Sequence, residues 1–460
     1  MSPCASCGAT LRPGARFCGK CGVSAAEAKP GVQSSTLYVT TDRDLSLENA
    51  LIVDAKSALS AVQSALRTDV QRKIRAVCLV GDDHDLPFVR LEDPCGYDAA
   101  VLTDAPYGMR ETPSAEERFA GDVLPDVPVT RIPTRDPETV RRSLEEAPLA
   151  SAWETGLIVS CAVWDVPTRA VAAAIGARCA LHLSPPHERP AIEDALGRKP
   201  TRLLFNVHGS DQEMTWYGQG DGHYPELLRS PGVRVADHGV VVSEACYGAT
   251  LVERGACIAP TFLGRGSGAF FGSTIIAWGA GPGGDPILAD ELARRIFQAI
   301  DAGHSTAEAL HRAKHDMIAQ ALSTDGGLSA PLHNTLLSFV AYGAPHRRSI
   351  RTSTAKPLPT LDDARASLQR RLTPGAWSIL SSGRTTMAAI RAGLRSGDSV
   401  LKRAEQLLGR APEDTRTIRY RAPGGERTSV LAHARSGAVV HRTVIDVASD
   451  GRILREAVSR

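Results

Sequence analysis

Long hydrophobic runs are missing from this chain. None approaches the roughly 20 apolar residues that a membrane-spanning helix needs, so no contact with a membrane is expected. An excess of charge is missing too. The 53 Lys and Arg residues nearly balance the 51 Asp and Glu, leaving a formal net charge of +2. That balance points to no polyanionic partner. The first ten residues, MSPCASCGAT, contain no apolar core of a secretory leader. Together these absences lead us to expect a cytoplasmic protein. What remains is ordinary for a globular chain: 43% hydrophobic and 23% charged residues. At 460 residues, two to four domains are the starting expectation.

Cysteine is scarce except at one place. Four of the ten cysteines fall within the first 21 residues, as Cys4/Cys7 and Cys18/Cys21, each pair a C-x-x-C followed by glycine. Two such turns around one short hairpin offer four thiolates to a tetrahedral structural Zn²⁺. Two disulfides are the weaker reading in a cytosolic chain. A zinc ribbon over residues 1–23 is therefore expected, its metal supplying most of its folding free energy and leaving no open coordination position. Only Arg12, Arg16 and Lys20 are basic there, without interleaved aromatics, which argues against nucleic acid and leaves a protein contact as the ribbon's use. Cys78 and Cys161 lie inside apolar runs and read as small buried hydrophobes.

The most informative stretch runs from Thr201 to Gly279. Two apolar runs, LLFNVHGSD (203–211) and VVVSEACYGAT (240–250), each stop at a reactive residue, His208-Gly209 and Cys246-Tyr247-Gly248. Continuous apolar runs of this length are the pattern of buried parallel strands. Reactive groups in open α/β sheets sit just beyond the carboxyl ends of such strands. His208 and Cys246 are thus a candidate catalytic dyad. Side chains two apart share a strand face, so Glu244 points to the same side as Cys246. His223 and His238 read as loop residues.

Around this pair the order of motifs is LVGDD, then VLTDAPYG and LPDVPVTRIPTRDPETV, then the two strand ends, CIAPTFLGRGSGAFFGSTIIAWG (257–279) and TLLSFVAYGAP (335–345). Over residues 36–348 this order resembles the gingipain-like cysteine peptidases (family C25) of the caspase-like clan. The turn Tyr342-Gly343-Ala344-Pro345 departs from it, with Ala344 where the family has aspartate. The resemblance implies an α/β, mostly parallel open sheet flanked by helices in two subdomains. The first, 36–150, would be catalytically silent, and the second, 151–348, would carry the site. It implies hydrolysis of a protein or peptide substrate through a thioester on Cys246. His208 would protonate the leaving group, and the backbone N–H groups of Gly209 and Cys246 would form the oxyanion hole. It places Glu244, Asp165 and the indole of Trp278 at the S1 pocket, and two acids there imply cleavage after Arg or Lys. HRRSIR (346–351) then becomes a candidate self-processing segment near Arg347 and Arg348. Calcium is implied by the family alone, with no ligand loop legible.

The flanks complete the organisation. Residues 24–35 and 349–359 read as linkers, and 360–460 as a small α+β domain with a hairpin at Ser449-Asp450-Gly451. Helices are expected near 46–66, 286–301, 305–321, 361–372, 383–393 and 397–409, and one after Asp136, with Pro137 at its first position. The competing reading is an inactive peptidase-fold scaffold that binds partners through its ribbon and C-terminal domain.

Overall fold

A computed structural model describes residues 35–45, 47, 49–71, 73–150, 155–211, 213–251, 257–325, 327–349, 378–422, 425–436 and 439–460. The four ribbon cysteines, the 24–34 linker segment and the helix expected near 361–372 lie outside them.

Ten strands form one sheet. Across it the order is Ala50–Ile52, Thr36–Thr40, Ala76–Val80, Val129–Ile132, Phe339–Gly343, Ala269–Ser273, Val240–Ser243, Arg202–Asn206, Leu157–Cys161 and Ala180–Ser184. Neighbours run parallel except at one seam, where Phe339–Gly343 lies antiparallel to Ala269–Ser273. The strands that read as unbroken apolar runs are buried along their length, as sheets covered on both faces require. The expected α/β architecture of an open, mostly parallel sheet therefore stands. The two expected subdomain sheets are continuous, because the closing strand Phe339–Gly343 pairs in parallel with Val129–Ile132 at Tyr342 and Arg131. Arg131, fully buried, ties the first half together through Asp104 at 2.6 Å and the carbonyls of Gly81 and Asp82.

The helix Pro137–Leu144 starts as its sequence dictates: Asp136 accepts the Thr139 N–H, and Pro137 occupies the first turn. Helices Ala289–Asp301 and Thr306–Thr324 fall at the expected places. The helix expected over 46–66 is a correction. Residues Ala50–Ile52 form an edge strand paired with Thr36–Thr40, and the helix spans only Ala58–Thr68. The apolar Leu51-Ile52-Val53 run favours strand, and a neighbouring edge was open to it.

A second sheet, all antiparallel, is built by Ser378–Arg384, Asp414–Ala422, Gly425–Ser436, Val439–Ala448 and Ile453–Ser459. Helices Met387–Gly393 and Gly397–Leu408 complete this C-terminal unit, their apolar residues packing with Val430, Ala432, Ile445 and Val447. The turn after Ala448 closes with Gly451 at φ +91°, as the Ser-Asp-Gly signal requires. The unit is not separate from the main body. Its last strand, Ile453–Ser459, pairs antiparallel with the two-residue strand Trp278–Gly279 of the main body, Trp278 opposite Ser459 and Gly279 opposite Val458.

Candidate active site

Strand register brings the two reactive residues together. Phe205 pairs with Ser243 in the parallel ladder, and His208 and Cys246 each lie three residues beyond that pair. The main chains touch at this point: a Cβ built on Gly209 would sit 1.8 Å from the Cys246 carbonyl oxygen. Only glycine fits there. After Cys246 the chain turns sharply. Tyr247 adopts φ +56°, the Gly248 N–H bonds to the Ala245 carbonyl, and the Tyr247 hydroxyl is tied to Asp98 at 2.7 Å. A non-glycine residue in this region costs of order 1–3 kcal/mol, held by the surrounding contacts. The result is a thiol presented at the tip of an elbow.

His208 is held on three sides. Its main chain exchanges two 2.9 Å hydrogen bonds with Tyr217, its ring lies edge-on to Trp164 with centroids 4.6 Å apart, and its Nε2 is 2.8 Å from the Gln219 side-chain oxygen. The Gln219 amide nitrogen in turn donates to the Tyr224 hydroxyl. With Gln219 accepting, the Nε2 carries the hydrogen and Nδ1 is the basic nitrogen. The Cys246 sulfur accepts from the Ala277 N–H at 3.3 Å. The N–H groups of Gly209 and Cys246 donate to no other group among the described residues, so both remain free for an oxyanion. Burial, reinforced by His441, pushes the His208 imidazole down to about 3, and burial pushes the Cys246 thiol up to about 11. Both groups are neutral in this conformation.

The last residue of the sequence fills the space beside them. Arg460 is 1% exposed. Its guanidinium donates to Asp290 Oδ1 at 2.5 Å and to the Ala280 carbonyl at 2.8 Å, and it stacks over the Trp164 ring at 4.2 Å. Its Nε is 3.8 Å from Glu244 Oε2. Gly279 forms the near wall, where a Cβ would overlap the guanidinium at 2.1 Å. The Arg460 N–H bonds to the Ala277 carbonyl at 3.0 Å.

Of the residues expected at S1, Glu244 is in this seat. Burial first, and then the Asp290 carboxylate, hold the Glu244 carboxyl well above its usual range, with Arg460 acting the other way. Burial and the neighbouring Asp290 thus favour the uncharged form of Glu244. Asp290 is the anion that meets the guanidinium. It is fixed by the Ala280 N–H at 2.7 Å and the Ile287 N–H at 3.3 Å, and Asn206 donates to it at 3.3 Å.

Asp165 and Trp278 are placed elsewhere. Asp165 begins the helix Asp165–Ala174 and pairs with Arg169 one turn on, at 2.5 Å, contributing nothing to the Arg460 seat. Its neighbour Trp164 is the residue that reaches the pocket. The Trp278 ring packs on Tyr97, centroids 6.0 Å apart, while its main chain pairs with Ser459. Sequence reasoning missed Asp290, Trp164 and Gln219. Trp164 ends the apolar run Cys161-Ala162-Val163-Trp164 just before Asp165; for Asp290 the one available signal was an acid in the first turn of the helix after GAGPGGDPIL, which reads equally well as ordinary helix-end electrostatics.

Among the described residues, Asp82, His84 and Asp85 form the one trio that could hold a metal. Asp82 Oδ1 already accepts the N–H groups of His84 and Asp85, and Asp85 pairs with Arg135 at 2.9 Å. These bonds close the trio as a turn. The segment at Arg347 and Arg348 is not presented for cleavage. Arg347 is buried, its guanidinium donates to the Ser143 carbonyl at 3.0 Å, and its own carbonyl accepts from Thr306 at 2.9 Å.

No family model matches the chain, and no curated protein matches its sequence. Solved structures do match. The Arg-specific cysteine proteinase gingipain R aligns at 12% identity over 91% of this chain and 96% of its own, with a TM-score of 0.49. A complex of the pro- and mature domains of a Porphyromonas gingivalis gingipain aligns at 11% identity over 91% of this chain and 98% of that one, with a TM-score of 0.47. A Saccharomyces cerevisiae separase–securin complex covers 50% of this chain and 15% of that one at 16% identity, with a TM-score of 0.33. With every TM-score under 0.5, none of these likenesses assigns chemistry to the chain; its own residues must do so.

Proposed function

We propose that this protein is a cysteine endopeptidase that cleaves protein or peptide substrates after a basic residue, arginine in preference to lysine. One observation carries the reading: a guanidinium seated on Asp290 and Trp164, with its backbone N–H on the Ala277 carbonyl, beside the Cys246 thiol and the His208 ring. A planar, forked cation matches an acid on one arm, a carbonyl on the other and an aromatic face beneath, a combination that an ammonium group cannot satisfy.

The steps follow from these positions. The Cys246 sulfur attacks the scissile carbonyl carbon as its proton passes to His208 Nδ1. The carbonyl oxygen takes the negative charge and the N–H groups of Gly209 and Cys246. The tetrahedral intermediate collapses to a thioester, and the leaving amine departs with the proton from His208. Water, deprotonated by His208, then releases the acid and restores the thiol. Gln219 keeps the ring in the tautomer that leaves Nδ1 basic.

Labelling with an arginyl chloromethylketone tests this. Capture of the wild type, and not of Cys246→Ala or of a protein challenged with an aspartyl probe, is the expected result. Loss of labelling with every basic probe under conditions where the chain is folded would remove the reading. A specific observation favours the scaffold alternative: thiol and imidazole are both neutral in this conformation. The same labelling decides between them. For the amino-terminal segment we keep structural Zn²⁺ on Cys4, Cys7, Cys18 and Cys21, a protein contact for that ribbon, and a cytoplasmic setting. Metal analysis should find one zinc per chain, absent from the Cys18→Ser/Cys21→Ser variant.

A further inference from the structure

We propose that the segment Ala457-Val458-Ser459-Arg460 is an internal ligand of the cleft, occupying in cis the places of a substrate's residues up to the scissile bond, and that the enzyme works when this segment leaves the cleft. The inference rests on the reading of the cleft as a peptidase site for what the segment imitates.

Four independent features coincide on this segment. It runs as an extended strand, antiparallel to Trp278–Gly279, which is how a peptide adds to an open sheet edge. Its Arg460 N–H takes the Ala277 carbonyl at 3.0 Å, next to the thiol. Its guanidinium fills a seat lined by two buried acids, where an empty pocket would leave the Asp290 carboxylate without its cation. Its neighbouring strand brings His441 over the other side of His208, ring centroids 5.2 Å apart. The cleft is thus closed from both sides by one unit.

That unit is held down by buried apolar residues, Ile418, Tyr420, Leu431, Val444 and Ala457, which join the main body's core, and by polar contacts beside them. Arg455 pairs with Asp325 at 2.9 Å, Arg416 bonds to the Gly96 carbonyl, and Arg442 lies over the Tyr97 ring at 5.5 Å. The apolar part is a shared core, so what can leave the cleft is the Arg460 segment rather than the whole unit. Tethering gives the segment an effective concentration of roughly millimolar, so a free substrate must outcompete a ligand that is always present. The segment also names the substrate class: an extended strand with arginine in the seat, preceded by small and aliphatic residues as in Ala457-Val458-Ser459.

The experiment uses the full chain and p-aminobenzamidine, a flat cation whose fluorescence rises when it enters an arginine pocket. Wild type should not take up the probe, whereas Arg460→Ala and Arg460→Gln should. Adding Asp290→Asn to Arg460→Ala should abolish uptake. Chloromethylketone labelling of Cys246 should run about tenfold faster or more in the Arg460 variants, because the tethered competitor is gone. Equal uptake by wild type and Arg460→Ala would overturn the proposal, since the pocket would already be open. So would no uptake by either Arg460 variant. Uptake without any Cys246 labelling would remove the peptidase reading and still support occupation of the seat in cis.

Discussion

Gly209 and Cys246 meet main chain to main chain, so closely that a Cβ on Gly209 would lie 1.8 Å from the Cys246 carbonyl oxygen and 3.1 Å from its nitrogen. This contact sets the separation of the two strand ends, and with it the geometry of both proposed oxyanion donors. Gly209→Ala should force the strands apart, costing about 1–3 kcal/mol as overpacking. A displacement near 1 Å at the reacting groups should lower Cys246 labelling by roughly 10²-fold. Thermal melting and labelling rate measured together separate the two effects.

The acids around Arg460 should not be equivalent. Asp290→Asn leaves a buried guanidinium without its anion, a loss of about 3–5 kcal/mol, so kcat/KM on arginyl reporters should fall by roughly 10²-fold or more. Glu244→Gln keeps a hydrogen-bonding group where burial already favours the uncharged carboxyl, and should change arginine selectivity far less. Asp165→Asn removes only a half-exposed pair with Arg169, worth about 0.3–0.5 kcal/mol, and should leave selectivity unchanged. A panel of P1 reporters checks all three.

In the proposed mechanism Gln219 positions His208 through its Nε2, 2.8 Å away. Gln219→Ala should lower kcat about tenfold with little change in KM, since general acid–base transfer contributes about 10²–10⁴-fold and depends on ring orientation. Gln219→Glu keeps an acceptor and adds a negative charge, so the acid limb of the pH profile should move to higher pH. A purely structural role for Gln219 would not move that limb.

Acid should open the cleft. His208 is held at about 3 and His441 at about 4, both by burial first, with Arg410 and Arg442 adding to the effect on His441 and Arg460 to that on His208. Both values lie below the ordinary 6.5, so the covered state binds fewer protons than the open one. Its stability is fully present above about pH 6.5 and is lost as pH falls toward 4 and then 3. Hydrogen exchange over residues 439–460 should therefore rise between pH 6.5 and 4, and more weakly in His441→Gln. Unchanged exchange across that range would show that the histidine pair does not govern closure.

How far the chain could be read in advance follows from the range of each determinant. Burial on both faces of a sheet writes itself into the sequence as unbroken apolar runs, so the central strands and the reactive residues past their ends were legible from local pattern. Capping chemistry is likewise local, and Asp136 with Pro137 started its helix where expected. The edge strand Ala50–Ile52 was misread as helix because its pairing partner, not its own periodicity, decided it. Asp165 was misplaced because the turn after Cys161 directs Trp164, not its neighbour, toward the pocket.

By itself, then, the sequence determined a parallel α/β sheet with His208 and Cys246 at adjacent strand ends, since the spacing of apolar runs and the ladder register are properties of short segments. Only the tertiary structure decided what surrounds the Arg460 guanidinium and which unit supplies it. Asp290 comes from a helix beyond the sheet, and Arg460 from a strand of another unit that completes its pairing on Trp278–Gly279. Electrostatic partners are chosen by distance in space, and no local pattern of residues records that distance.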